Sequence, residues 1–193
     1  LARYIENTGY KKVFFNLKNS PLSICLYLAG WIADIDLLVP INPRLISNEL
    51  EQIIEPNSLF ITDNIQNITK NHLQNNNVEK IVIDATNEFL TNLKITNDFM
   101  VYENSITAHI SSGTTGFYQK HCHSISQCID YAYKTEEYLG LERSDKLLIA
   151  LSINHAFAFS YQLLPALVIG LDISFIGEFN PDIMAKKIVA SLW

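Results

Sequence analysis

The sequence has no block of basic residues, and this absence limits the partners that we expect for it. Its 193 residues include 14 Lys and Arg against 20 Asp and Glu, which gives a formal net charge of −6 at pH 7. Proteins bind nucleic-acid backbones chiefly through clustered Lys and Arg, so we expect no nucleic-acid partner. An acidic chain can still bind a nucleotide through local backbone N–H groups and a metal ion.

Long hydrophobic runs and an even set of cysteines are also missing. No uninterrupted apolar run is long enough to span a bilayer, and the N-terminus lacks the basic and then apolar pattern of a signal peptide. The three cysteines, Cys25, Cys122 and Cys128, are an odd number, which argues against a disulfide framework and favours reduced thiols. We therefore expect no membrane span and a cytoplasmic location.

Neither end of the chain has the features that normally begin or close a domain. Residues 1–7 have the pattern of the tail of a helix and lack an initiating methionine. Residues 183–193 stop inside an apolar helical pattern, without a capping glycine. We expect residues 1–193 to be part of one larger domain, truncated at both ends.

Short apolar runs alternate with helical patterns along most of the chain. The runs that we predict as strands are 12–17, 37–40, 58–62, 80–84, 106–110, 146–151 and 172–176. Ser20 and Pro21 begin a predicted helix, Ser47 caps another that extends to Ile54, and further helices are predicted at 124–139, at 156–169 and from 181. The alternation predicts an α/β fold with a mostly parallel sheet and helices on both faces. Ligands of such sheets collect at the carboxyl ends of the strands.

The most distinctive stretch is Ser111-Ser112-Gly113-Thr114-Thr115-Gly116. Its small and hydroxylated residues leave backbone N–H groups and hydroxyls available to an anion, above all a phosphate. An apolar run precedes it and a helical pattern follows, so we predict a strand, a loop and a helix in that order. The stretch lacks the Lys-Ser or Lys-Thr of the common nucleotide-binding loop, and a polar hairpin tip is the alternative interpretation.

A zinc site is a second interpretation of the residues behind this stretch. His121, His123 and Cys128 are side chains that zinc accepts as ligands. The two histidines are only two residues apart, however, and no C-x-x-C pair accompanies them. The simpler interpretation is that the histidines are polar surface residues and that Cys128 faces the core from a helix.

Three stretches, in the same order along the chain, resemble the adenylate-forming superfamily of acyl-CoA synthetases, nonribosomal adenylation domains and luciferases. Residues 111–116 followed by His123-Ser124 are similar to its phosphate-loop signature. Upstream, residues 19–44, which end in Val-Pro-Ile-Asn-Pro-Arg, are similar to its first βαβ unit. Downstream, residues 152–170 are similar to the segment that lines its acyl pocket. The resemblance covers nearly the whole chain.

The resemblance implies the N-terminal part of an enzyme that uses ATP and Mg²⁺ to activate a carboxylic acid. The products would be an acyl-adenylate and pyrophosphate, commonly followed by a thioester with CoA or a carrier-protein thiol. His155 and Phe159 would lie beside the acyl group. The residues implied for the ATP phosphates are Ser111, Ser112, Gly113, Thr114, Thr115 and Gly116, with Lys120 as the cation. Neither a catalytic residue nor a metal ligand is identified in these 193 residues.

Two departures from the family pattern raise an alternative. Tyr118-Gln119-Lys120 stands where the family usually has Pro-Lys-Gly, so the basic residue is missing or moved by one position. The chain also stops before the family's adenine and ribose motifs and its C-terminal domain, so we expect these residues alone to be inactive. A non-catalytic nucleotide-binding or interaction module is the alternative. The changed tail favours it, as do Tyr131, Tyr133 and Tyr138 if they form an exposed surface.

Overall fold

A computed structural model of the chain describes residues 1–63, 70–83, 105–112, 118–176 and 180–191. The chain divides into two units, Leu1–Ile125 and Ser126–Trp193. Among the helices that the structure describes, none combines the length and the hydrophobicity that a membrane-spanning segment needs.

The first unit alternates strands and helices, as predicted. Its elements are α1 (Ala2–Thr8), β1 (Lys12–Asn16), α2 (Pro21–Ile32), β2 (Leu37–Pro40), α3 (Ser47–Ile53), β3 (Ser58–Thr62), α4 (Lys70–Asn75), β4 (Val78–Val82), β5 (Ile106–Ser112) and β6 (Tyr118–Ser124). The strands form one sheet in the order β4-β3-β1-β2-β5-β6. Every neighbouring pair is parallel except β5 and β6. The mostly parallel α/β sheet is therefore confirmed.

Helices cover both faces of this sheet. The chain steps from β1 to the neighbouring β2 and then crosses back over β1 to reach β3. Since such crossovers are right-handed, the helices α2 and α3 must lie on opposite faces. The side chains agree with this rule. Phe15 packs edge to face against Tyr27 of α2, with ring centres 5.0 Å apart. Phe14, which points to the other face, packs with Leu50 and Ile53 of α3.

The two predicted helix starts in this unit have different outcomes. Ser20 caps α2 as expected: its hydroxyl accepts the Ser23 N–H at 3.3 Å, and its own N–H donates to the Ser23 hydroxyl at 3.0 Å. The prediction that Ser47 caps α3 was wrong by one residue. Ser47 is already helical, and the capping residue is Ile46, whose N–H donates to the Glu49 carboxylate at 2.9 Å. The Glu49 carboxylate thus makes the backward bond of a capping box, to the N–H of the capping residue, and Ile46 has no polar side chain to make the forward one.

The prediction of a strand, a loop and a helix around residues 106–139 was also wrong in one element. An additional strand, β6, pairs antiparallel with β5, from Ser112 opposite Tyr118 to Ile106 opposite Ser124. It lies at the edge of the sheet, and most of its side chains are polar and exposed. Polar residues are typical of edge strands because they discourage pairing with other chains. For the same reason, an edge strand such as β6 has no apolar run by which its sequence could predict it.

The second unit contains nearly all of α5 (Ile125–Leu139) and a two-stranded parallel sheet. The sheet consists of β7 (Lys146–Ile149) and β8 (Asp172–Phe175). The helical region between these strands is α6 (Ala156–Ala158), a π-turn (Phe159–Leu163) and α7 (Leu164–Ile169), and α8 (Pro181–Ser191) follows β8. Gly170 ends α7 with a φ of 82°, where a glycine is favoured. The predicted elements are confirmed here, but the π-turn was not predicted.

Candidate functional site

Ser111 and Ser112, the first two residues of the hydroxylated stretch, lie at the edge of the first sheet where its parallel strands end. β1, β3 and β5 end there at Asn16, Thr62 and Ser112. Gly113, Thr114, Thr115 and Gly116 lie outside the described residues, as does the side chain of Ser112. The two residues that flank the connection are nevertheless paired, since Ser112 faces Tyr118 across the β5–β6 hairpin. This is the edge at which α/β sheets collect ligands, but the stretch joins two strands and not a strand to a helix.

Ser111, the first of the predicted phosphate ligands, hydrogen bonds to a neighbouring strand. Its hydroxyl lies 2.8 Å from Nε2 of His121 on β6. Two residues earlier on the same face of β5, the buried His109 lies 3.4 Å from the Tyr27 hydroxyl of α2. The α2 side of the hairpin is therefore a row of polar side chains. His121 belongs to this row.

Lys120 points to the other side of the hairpin, toward α3. Its ammonium forms an ion pair with Glu55 and lies 5.6 Å from the centre of the Phe14 ring. Glu55 also binds Lys12, at 2.6 Å. Partial burial acts to raise the pKa of Glu55, but the two lysines outweigh it and lower that pKa. Lys120 is therefore bound to a carboxylate in the structure.

Tyr118 and Glu49 form a second link between the hairpin and α3, one that no sequence pattern predicted. The Tyr118 hydroxyl donates to Oε1 of Glu49 at 2.8 Å, while Oε2 accepts the Ile46 N–H. The Ile46 N–H and then the Tyr118 hydroxyl lower the pKa of Glu49. Desolvation and then Glu49 raise the pKa of Tyr118. Glu49, three residues after the start of a helix, signals a cap, but nothing local signals a partner 69 residues away.

A cavity of about 390 Å³ lies beside these two links. Its lining comes from α3, α4 and the hairpin and includes Glu51, His72, Ile110, Tyr118 and Lys120. The lining thus contains acidic and basic side chains as well as the apolar side chain of Ile110. No sequence pattern pointed to this cavity, because its walls come from separate elements.

The two predicted acyl-pocket residues, both in the second unit, have different environments. His155 is exposed and caps α6, and its Nδ1 accepts the Phe157 N–H at 3.2 Å. Its remaining ring nitrogen, Nε2, is therefore the one that carries the proton in the neutral ring. Phe159 begins the π-turn and is only 1% exposed. Thus His155 can touch a ligand directly, whereas Phe159 packs in the core of its unit.

An exposed aromatic cluster lies next to His155 in the sequence. Tyr161 is in contact with Phe157, with ring centres 5.0 Å apart, and its hydroxyl lies 2.7 Å from that of Tyr131 on α5. All three rings are more than a third exposed. Tyr133 and Tyr138 of α5 are exposed as well. Tyr131 and Tyr133 are two residues apart on the helix and therefore point to different sides of it, so the three tyrosines do not form one surface.

The residues described by the structure do not support the zinc interpretation. His121 and His123 are exposed on alternate positions of β6. Cys128 is buried in α5, and burial raises the pKa of its thiol to about 11, which disfavours the thiolate that binds metals. Across the described ranges, no group of three or more His, Cys, Asp or Glu side chains is placed to hold a metal ion.

Comparison with known proteins gives one family and several similar structures. A family model described as AMP-binding enzyme matches residues 1–192. No curated protein matches the chain. O-succinylbenzoate coenzyme A synthetase (MenE) from Bacillus subtilis, solved with AMP, is 19% identical with a TM-score of 0.73 over 93% of this chain and 46% of its own.

Two further structures cover slightly more of the chain. The long-chain-fatty-acid-CoA ligase FadD1 from Archaeoglobus fulgidus is 21% identical, with a TM-score of 0.79 over 97% of this chain and 40% of its own. ATP-bound MatB from Rhodopseudomonas palustris is 18% identical, with a TM-score of 0.80 and the same two coverages. The chain thus spans less than half the length of each of these three proteins, and it shares their fold.

Proposed function

Because the chain belongs to the AMP-binding enzyme family, we propose that it is part of an AMP-forming ligase that activates a carboxylic acid with ATP. The acyl-adenylate would then pass to a thiol, that of CoA or of a carrier protein. The observation that carries this proposal is the position of residues 111–116 in a chain that the family matches from 1 to 192. Ser111 and Ser112 are the last residues of β5, at the carboxyl edge of the parallel strands, which is where such folds bind nucleotides.

The reaction makes simple demands on these residues. A carboxylate oxygen forms a bond to the α-phosphorus, and the bond from that phosphorus to the bridging oxygen breaks, so that pyrophosphate leaves with the negative charge. The protein must hold the phosphates in line and stabilise this charge. Residues 111–116 contain four hydroxyls, two glycines and no carboxylate, a set of donors that fits a polyphosphate. Mg²⁺, bound with ATP, would neutralise part of the phosphate charge.

Titration with Mg-ATP by calorimetry tests this proposal. We expect the double variant Thr114→Val/Thr115→Val to bind at least roughly tenfold more weakly than the parent chain, because each lost hydroxyl removes a hydrogen bond to a charged group. Valine keeps the size and β-branching of threonine. Thr8→Val, at the end of α1, is the matched control and should leave the Kd unchanged. Absence of binding by the folded parent chain would contradict the proposal.

The phosphate role of Lys120 requires an exchange of partners. Its ammonium must leave Glu55 to reach a phosphate. We expect Lys120→Met to weaken Mg-ATP binding about threefold, and Glu55→Gln to strengthen it about threefold by removing the competing carboxylate, since partly exposed ion pairs contribute roughly 0.5–1 kcal/mol. The same calorimetric titration measures both variants. Two unchanged values of Kd would mean that Lys120 serves only to hold the hairpin.

The proposal extends to the acyl site, the cellular location and the nucleotide. We assign His155 to direct contact with the acyl substrate because it is exposed, and Phe159 to support of that site from the core. Free Cys25, Cys122 and Cys128 favour a reducing compartment, and we propose the cytoplasm. ATP-bound MatB shares the fold over 97% of this chain, which supports ATP as the nucleotide.

A further inference from the structure

We propose that Glu49 and Tyr118 are positioning residues for the nucleotide site, which together tie the start of α3 to the first residue after the connection 113–117. The inference rests on the proposed function, because the part held in place is the proposed phosphate-binding stretch. Neither residue has to touch the nucleotide. Each would act through the geometry of the hairpin.

The hairpin needs such a tie because the sheet holds it at one end only. β5 pairs with β2 at two positions, Ile106 with Leu37 and Thr107 with Leu38. The pairing with β6, in contrast, continues for seven residues to Ser112 and Tyr118. Among the described residues, the outer part of the hairpin thus has no strand on its β2 side. Its position relative to the sheet depends on side chains.

Glu49 is well suited to hold this outer part. Its carboxylate is bonded through both oxygens, with Ile46 N–H at 2.9 Å on one and the Tyr118 hydroxyl at 2.8 Å on the other. Two bonds leave the carboxylate little freedom to rotate, so the hydroxyl of Tyr118 has a fixed target. Tyr118 lies opposite Ser112, so both ends of the connection share this anchor.

The protonation states favour the link at neutral pH. The Ile46 N–H and the Tyr118 hydroxyl lower the pKa of Glu49, so it remains an acceptor. The raised pKa of Tyr118 keeps its hydroxyl a donor. The ion pair between Lys120 and Glu55 is a separate contact of the same hairpin with the segment after α3. It is broken by a different variant, so the two contacts can be tested apart.

A double-mutant cycle on the Kd of Mg-ATP tests the inference. We expect Tyr118→Phe and Glu49→Ala each to weaken binding three- to tenfold, and the double variant to bind no more weakly than either single one. Glu49→Gln keeps an oxygen for the Tyr118 hydroxyl, so its Kd should lie nearer to that of the parent. Tyr138→Phe, which removes an exposed hydroxyl of the second unit, is the control with unchanged Kd. Additive losses would overturn the inference, because they would show that the two side chains act separately.

Hydrogen exchange of the nucleotide-free chain provides a second measurement that does not need ATP. We expect the β6 amides to exchange faster in Tyr118→Phe than in Tyr138→Phe, while the amides of β1 remain as protected as in the parent. Equal exchange of β6 in both variants would overturn the inference.

If the parent binds Mg-ATP and Tyr118→Phe binds equally well, the inference is wrong and the proposed function stands. If the folded parent binds none, both are wrong.

Discussion

Replacing Phe14 with alanine should lower the free energy of unfolding by about 3–5 kcal/mol, the largest effect that we expect from one substitution. Phe14 is fully buried near the middle of the first sheet and packs with Phe60, Val39 and the apolar side of α3. Deleting its ring removes apolar surface from the core and leaves a cavity. The backbone cannot move to close this cavity, because β1 is hydrogen bonded to a neighbouring strand on each side.

Urea unfolding at equilibrium measures this loss, with circular dichroism as the signal. Phe14→Leu is the matched control, because leucine fills much of the same space and should cost clearly less. Lys120, whose ammonium lies above the ring, should show little independent effect on stability, since the pair is partly exposed. A loss below about 1 kcal/mol in Phe14→Ala would contradict the packing described for this face.

Gly30→Val should lower the free energy of unfolding by about 2–3 kcal/mol, because it adds atoms to a site that has no room for them. A Cβ placed on Gly30 would lie 2.7 Å from one δ-carbon of Leu38 and 2.8 Å from the other. Leu38 is fully buried, with Val13 and Thr107 as its neighbours in the sheet, so it has no open space to move into. α2 can approach β2 this closely only because residue 30 has no side chain.

Thermal unfolding of four variants separates this clash from other effects: Gly30→Ala, Gly30→Val, Leu38→Val and the double variant Gly30→Val/Leu38→Val. Gly30→Ala should be destabilised less than Gly30→Val, because alanine gains up to about 1 kcal/mol in helix propensity over glycine. Adding Leu38→Val to Gly30→Val should cost less than the sum of the two single changes, because valine lacks the δ-carbons that clash. Simple additivity would show that the helix moves away from the sheet instead.

The strands that the sequence predicted best are those buried on both faces. Ser58–Thr62 and Leu37–Pro40 match their predicted limits because each is a continuous apolar run ended by polar residues or proline. β6 was missed for the converse reason, since its exposed residues from Gln119 to His123 carry no apolar pattern. An apolar run indicates a buried strand, so this pattern predicts the central strands of a sheet but not its exposed edge strands.

For the candidate site, the sequence predicted the edge of the sheet at which Ser111 and Ser112 lie but none of the contacts around them, and phosphate binding by residues 111–116 stays a prediction. The resemblance and the parallel-sheet rule put the stretch from Ser111 to Gly116 at the carboxyl edge, where its flanking residues lie. The partners of Lys120 and Tyr118 are 65 and 69 residues away along the chain, and no local rule relates such positions. The π-turn was missed because its residues are ordinary helix formers, and only the hydrogen-bond pattern distinguishes it.

The short pairing between β5 and β2 also has a consequence for the order of folding. The β5–β6 hairpin joins residues that are close in the chain, with five residues between its strands, and hairpins of this kind form in roughly microseconds. The parallel pairs of the same sheet must close loops that contain whole helices, which slows them. We therefore expect the hairpin to form early as a local unit and to dock late onto β2 through its two shared positions. A slow step in refolding would then report docking and not formation of the hairpin.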